Sequence, residues 1–166
     1  MTTMEKTGVT VQVHRVFIKA TPEAIWEAIT SREWSERYGY GAPAEYDLRP
    51  GGAYRVLATE AMVAHGAPEV MIEGEVIEAD PPRKLVQTWH ALFDAETAGE
   101  EVTRLTWEIE DAGNGVTRLT VAHDVAGAPR SAVIVAGDLG HEAGGGWPYI
   151  LSDLKTLLET GGTLAG

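Results

Sequence analysis

One histidine on a predicted strand is the first candidate for proton-transfer chemistry. His123 ends a run that alternates apolar and polar residues, and it shares its parity with Leu119 and Val121. Because alternate residues of a strand lie on the same face, the imidazole is predicted to face the core. There it would be either a hydrogen-bonded core histidine or a general base, and the spacing identifies no partner acid.

A strand carboxylate is the second candidate. Glu73 and Glu75 share the parity of Met71 in the predicted strand 70–78, so that one of them could point inward. An unpaired buried glutamate has a raised pKa and could donate a proton, whereas most strand glutamates face water. Both interpretations stay open, and we take Glu73 with Met71 as expected members of a site.

Other chemistries have no motif in this chain. There is no cysteine, and the five histidines lack the spacing of a helical metal site, so we expect no metal. No glycine-rich loop precedes a helix in the manner of a nucleotide site, and no serine lies in a nucleophile elbow. We therefore expect no cofactor. His141 precedes the last predicted helix and would either close over a cavity mouth or lie in solvent.

A C-terminal helix is the best-marked element that would position these residues. Over residues 146–159, Ile150, Leu151 and Leu154 begin an apolar stripe with helical spacing. Pro148 suits the first turn, and Gly161 follows the last one. A helix with one apolar face needs a sheet against which to pack. We expect strands at 9–19, 45–48, 54–59, 70–78, 85–92, 103–110 and 116–124.

The connections between the strands are predicted from turn and capping residues. Thr21 and either Thr30 or Ser31 would cap two short helices after the first strand. We expect exposed loops at 61–68 and 93–101, and either a helical turn or a short strand at 131–135. Since each strand has one apolar face, the fold class is α+β, an antiparallel sheet with its helices on one side.

Composition limits the classes of partner. The 166 residues suit a single domain, 1–166, with its core at about 9–160. With 25 acidic and 13 basic residues the formal charge is −12, which repels phosphate backbones and anionic lipid. No apolar run has the length of a membrane span or a signal peptide. We expect no nucleic-acid or membrane partner and a cytoplasmic protein.

Four segments in this order carry a family resemblance. They are residues 20–30 (ATPEAIWEAIT), Pro50-Gly51-Gly52, residues 74–89 (GEVIEADPPRKLVQTW) and Gly146-Trp147-Pro148. With the order of elements, they resemble the START-like helix-grip superfamily, also called SRPBCC, and most closely its branch related to the C-terminal domain of the activator of the heat-shock-protein-90 ATPase. The resemblance covers about residues 9–160.

The resemblance implies a curved antiparallel sheet wrapped around the long helix, with an elongated cavity between them. Members bind apolar molecules, and some are cyclases or hydrolases, so an enzyme of this kind would use general acid/base chemistry; no catalytic residue set is shared across the branch. We predict binding of a small hydrophobic or aromatic molecule by a carrier, sequestering or cyclase-like protein. The expected lining is Trp34, Tyr38, Tyr54, Met71, Glu73, Trp89, Trp107, His123, Trp147, Leu151 and Leu154.

An interaction module is the alternative function. The branch name suggests a chaperone ATPase as partner and a role in the stress response, with docking on the outer face of the sheet. This alternative predicts an exposed apolar patch and a closed interior. In the eukaryotic protein the co-chaperone activity depends on an additional N-terminal domain, for which this chain has no room. A third alternative is protection against a reactive natural product. A homodimer through an edge strand is compatible with the sequence, but no pattern requires it.

Overall fold

The computed structural model describes residues 10–138 and 145–165, and His141 lies outside them. The strands are β1 (Val11–Ile18), β2 (Ala44–Tyr46), β3 (Ala53–Leu57), β4 (Val70–Asp80), β5 (Lys84–Ala91), β6 (Thr103–Gly113) and β7 (Val116–Asp124). The helices are α1 (Pro22–Thr30), α2 (Arg32–Ser35), α3 (Glu60–Ala64), α4 (Ala95–Ala98), α5 (Pro129–Ala136) and α6 (Gly146–Thr160). None of these helices is long and apolar enough to cross a membrane.

The strands form one seven-stranded sheet in the order β1-β7-β6-β5-β4-β3-β2. Every neighbouring pair is antiparallel. The strands β2 to β7 form a meander, and β1 pairs with β7 at one edge of the sheet. Leu119 on β7 pairs with Val16 on one side and with Ile109 on the other. The apolar side chains of neighbouring strands therefore lie on the same face of the sheet. The predicted fold class is therefore confirmed, with one face of the sheet packed against α1 and α6.

Side-chain caps begin the two helices after β1, as the sequence predicts. The Thr21 hydroxyl accepts a hydrogen bond from the Ala24 N–H at 3.1 Å, and Pro22 occupies the first helical turn. Of the two residues proposed as the second cap, Ser31 is the one used, since its side chain accepts from the Trp34 N–H. These caps satisfy N–H groups that have no partner within the helix.

Two predicted loops contain helices instead. Thr59 caps α3, which overlaps the segment 61–68, and Asp94 begins α4 within the segment 93–101 through a capping box with Thr97. The loop predictions missed them because helices of four or five residues are too short to display an apolar period. The segment 131–135, for which a helical turn and a strand were both open, belongs to the helix α5.

The helix α6 lies across the concave face and is joined closely to α5 at its first residue. Gly146 has a φ of 59°, and a Cβ atom at this position would lie 2.3 Å from the Val135 carbonyl oxygen. Only glycine allows this approach. The residues that are fully buried around α1, α6 and the sheet include Ile18, Ile25, Leu85, Leu105, Leu119, Val121 and Leu154.

Candidate functional site

A buried glutamine is the centre of the concave face. Gln87 on β5 is fully buried, and its side-chain oxygen accepts hydrogen bonds from the Tyr46 hydroxyl at 2.6 Å and the Trp107 indole N–H at 3.2 Å. Its amide nitrogen donates to the Thr88 carbonyl oxygen at 3.3 Å. Three strands, β2, β5 and β6, thus supply one polar cluster inside an apolar layer. Such a group is tolerated in the interior because its partners satisfy it.

Tyrosines surround this amide. The rings of Tyr46 and Tyr54 are 4.7 Å apart at their centroids, and the Tyr38 hydroxyl donates to the Ala28 carbonyl oxygen at 3.1 Å. Burial raises the pKa of all three phenols above the usual value for tyrosine. They therefore act as neutral hydrogen-bonding groups rather than as sources of a phenolate base.

His123 lies in a second buried hydrogen-bond chain. Its Nδ1 accepts from the Trp147 indole N–H at 3.1 Å, and its Nε2 lies 2.8 Å from the Thr103 hydroxyl. That hydroxyl donates to the Trp89 carbonyl oxygen at 2.6 Å, so it must accept from His123. An indole can only donate. The imidazole is consequently the neutral tautomer with its proton on Nε2.

The surroundings of His123 favour the core interpretation over a general base. Its side chain faces inward as predicted and is fully buried, with the Trp89 ring 4.8 Å away. The pKa of His123 is lowered to about 4, mainly by burial and further by the charge of His14, while Asp124 offsets part of this shift. Both ring nitrogens already have partners within the protein. The histidine therefore holds the first turn of α6 against the sheet.

Glu73 does not lie where the sequence placed it. Glu73 is on the outer face, its side chain is 54% exposed, and its carboxylate is 3.8 Å from the Nδ1 atom of His90. Met71 is half-buried at an irregularity in the pairing of β3 with β4, while Ile72 packs on the core and Val76 is buried in it. The alternation of side chains shows which residues share a face of β4. Only the pairing of β4 with β5 determines which of the two faces is buried.

The other predicted residues lie around the concave face. Tyr54, Trp89, Trp107, His123, Trp147, Leu151 and Leu154 are buried, and Trp34 and Tyr38 are half-buried against the same cluster. The rings of Trp107 and Trp147 meet edge to face, with centroids 5.3 Å apart. The prediction missed Tyr46, Gln87 and Thr103. The sequence did contain a signal for Gln87. This residue alternates with Leu85 and Trp89 and so shares their inward face of β5.

A buried carboxylate, also missed, fixes the middle of α6. Asp153 accepts hydrogen bonds from the Gly39 N–H at 2.8 Å and the Leu164 N–H at 2.7 Å. One side chain thereby joins α6 to the loop after α2 and to the residues after the helix. With the contacts of Trp147, it holds the helix against the sheet along two of its turns.

Aromatic side chains pack in the core cluster between α6 and the sheet, among them Trp89, Trp107 and Trp147. Two depressions in the described part of the chain lie on the surface of the protein. One depression adjoins Phe17 and Arg118. The described residues contain no cluster of acidic and histidine side chains that could hold a metal ion.

The other depression is on the outer face of the sheet and has a volume of about 200 Å³. Val102 and Ile77 form its apolar walls, and Val102 is 56% exposed. Arg104 and Asp124, which are neighbours across β6 and β7, supply a charge of each sign. This arrangement combines exposed apolar area with a guanidinium group and suits contact with a protein surface.

Solved structures from several organisms share this architecture. CalU16 from Micromonospora echinospora is 19% identical, with a TM-score of 0.63 over 91% of this chain and 77% of that chain. An HSP90 activator from Plasmodium falciparum is 22% identical, with a TM-score of 0.55 over 94% and 91%. The Aha1 dimer from Colwellia psychrerythraea is 17% identical, with a TM-score of 0.62 over 91% and 97%. These likenesses show the fold.

Curated proteins include no match to this chain. The family model described as activator of Hsp90 ATPase homolog 1-like protein, however, matches residues 19–159, from the end of β1 to the last turn of α6. This match covers the helix pair, the whole meander and the terminal helix whose packing is described above. The chain therefore belongs to the family of activator of Hsp90 ATPase homolog 1-like proteins and has its helix-grip fold.

Proposed function

We propose that this domain is a protein-interaction module that binds a chaperone ATPase of the Hsp90 class through the outer face of its sheet. The observation that carries the proposal is the outer depression, where Val102 and Ile77 are exposed beside Arg104. The side chains of the concave face, in contrast, pack in the core cluster. The available apolar surface is thus on the outside.

The depression suits a partly apolar partner segment with charges of both signs, in which a carboxylate would face Arg104 and a basic group Asp124. An arginine flanked by apolar side chains can form a charge-assisted hydrogen bond to a carboxylate while its neighbours exclude water. The domain as a whole carries a charge of −12, so that an acidic partner would be repelled at a distance and attracted only locally. Binding is therefore expected to be specific in position and of moderate strength.

The family description supports this choice of partner. The solved chain of an HSP90 activator from Plasmodium falciparum matches this protein over 94% of this chain and 91% of that chain. A solved chain of similar length therefore carries that description.

The test is binding of the chain to a purified Hsp90-class ATPase, measured by titration calorimetry, together with the rate of ATP hydrolysis. Arg104→Glu is expected to weaken binding about tenfold or more, because it replaces the attractive charge with a repulsive one. The matched control is Val63→Glu on α3, which is also exposed but lies outside the depression. Absence of binding by the unmodified chain, or equal binding by Arg104→Glu, would contradict the proposal.

A second candidate function is binding of a small aromatic molecule at the concave face. The cluster of Gln87, Tyr46 and Trp107 favours it, since a ligand with one or two polar atoms could replace these mutual hydrogen bonds. Such a ligand would have to displace tryptophan and tyrosine rings that pack at this face.

Tryptophan fluorescence and thermal unfolding, measured with a panel of aromatic polyketides and fatty acids, test this second function. A bound ligand is expected to quench the emission of Trp107 and to raise the midpoint of unfolding as its concentration increases. Gln87→Leu is the matched variant, because it keeps the side-chain volume while removing the polar centre. If no compound in the panel changes either signal, ligand binding is rejected.

A further inference from the structure

Within residues 10–138 and 145–165, no strand pairs with the outer edge of β1, and this edge presents a defined set of backbone groups. The Val125 N–H donates to the Thr10 carbonyl oxygen at 2.8 Å. This hydrogen bond shows which residues of β1 bond to β7, namely Thr10 and every second residue after it. In an antiparallel ladder alternate residues bond to the partner strand, and the residues between them point away from it. The N–H and C=O groups of Val11, Val13 and Arg15 therefore point toward the open edge.

The far end of this edge is already occupied by α6. Lys155 donates from Nζ to the Phe17 carbonyl oxygen at 2.7 Å, and Glu159 accepts from the Lys19 N–H at 2.7 Å. The two side chains also form an ion pair with each other at 2.8 Å. They therefore block strand pairing beyond Val16, leaving only the first half of β1 available to another strand.

The two edges of the sheet are protected to different degrees. β2 has three residues, and its Glu45 forms ion pairs with Arg32 and Arg55. Such short, charged edges resist strand addition. The outward side chains of β1 include Val11 and Val13, which are 40% and 54% exposed. An eight-residue edge strand with exposed valines lacks that protection.

We propose that a second copy of this chain pairs with the first half of β1, in an antiparallel arrangement centred on Val13. The two-fold axis then places Val13 opposite its counterpart, and Val11 opposite Arg15 of the other copy. A register centred nearer Phe17 is blocked by Lys155 and Glu159 in both copies. The two sheets would join into one continuous sheet of fourteen strands, twice the seven of one chain.

Local charge permits this contact despite the acidic chain. β1 has the sequence VQVHRVFI and no carboxylate, so the paired strands bring no two acidic side chains together. Arg15 is held beside its own sheet by a hydrogen bond from Nε to the Thr120 hydroxyl at 3.1 Å. Because only residues 11–15 of each strand pair, the contact is small and the dimer is expected to be weak and concentration-dependent. The inference does not depend on the function proposed above.

Cysteine cross-linking tests the register directly, since the chain has no cysteine of its own. Residues that face each other in a hydrogen-bonded antiparallel pair have Cα atoms about 5.5 Å apart, which suits a disulfide. Val13→Cys is expected to form a covalent dimer under mild oxidation. Phe17→Cys, of similar exposure on the same strand, is the matched control and is expected to stay monomeric. Equal cross-linking of both variants would refute the proposed register.

Sedimentation equilibrium over a range of protein concentrations tests the dimer without a cross-link. Val13→Lys places two like charges opposite each other and is expected to abolish dimerisation. Val63→Lys on α3 should dimerise as the unmodified chain does, and circular dichroism should show that both variants are folded. A chain that stays monomeric at every concentration, or a Val13→Lys variant that still dimerises, would overturn the proposal.

Discussion

Replacement of Trp147 by alanine is expected to lower the free energy of unfolding by about 3–5 kcal/mol, the usual cost of truncating a buried tryptophan. The indole is buried at the start of α6, with its ring 5.3 Å from that of Trp107. Its removal leaves a void between the helix and the sheet and deprives His123 of its hydrogen-bond donor. Urea denaturation followed by circular dichroism measures the change.

Trp147→Phe separates the two contributions of this side chain. Phenylalanine keeps an aromatic ring against Trp107 but cannot donate to His123, so the expected loss is smaller, about 1–3 kcal/mol. Trp34→Phe, at a half-buried position outside the hydrogen-bond chain, is the control. If Trp147→Ala cost no more than this control, α6 would not be held by Trp147 in the way that the structure indicates.

Acidification is expected to destabilise the fold through His123. Burial lowers the pKa of His123 in the folded protein to about 4, whereas an unfolded histidine titrates near 6.5. Between these values the unfolded state binds more protons, so stability rises with pH. The contribution of His123 is complete above pH about 6.5 and is lost progressively toward pH about 4, with a total of about 3 kcal/mol.

His123→Gln provides the matched variant for this pH dependence. A glutamine can accept from Trp147 and donate to Thr103, as the neutral imidazole does, but it does not titrate. The free energy of unfolding, measured at several pH values between 7 and 4, should fall less steeply for the variant. The pKa of His14 is also lowered by burial, and this residue remains in both proteins. Identical slopes would show that His123 is not the titrating group.

The architecture was largely predictable because each of its elements has a local signal. The alternation around Leu105 and Leu119, the caps at Thr21 and Ser31 and the apolar stripe through Leu151 predict the strands and helices that the structure contains. The hydrophobic period depends on residues close in the chain, so one sequence is enough to reveal it. The short helices α3 and α4 escaped prediction because each has only about one turn.

The candidate site was less predictable because its contacts join distant parts of the chain. Gln87 meets Tyr46 across 41 residues, and His123 meets Trp147 across 24. Neither distance produces a pattern that a local window can detect. The position of Glu73 shows the same limit, since its parity was known but the buried side depended on the pairing of β4 with β5.

Sequence alone determined the order of the elements, the antiparallel class of the sheet and the inward direction of His123, because periodicity and capping act between near neighbours. Only the tertiary structure decided that the aromatic rings of the concave face pack together beneath α6 and that apolar side chains remain exposed on the outer face and on β1. Whether a set of side chains encloses a void depends on how they interdigitate in three dimensions, which neither their spacing nor their composition specifies.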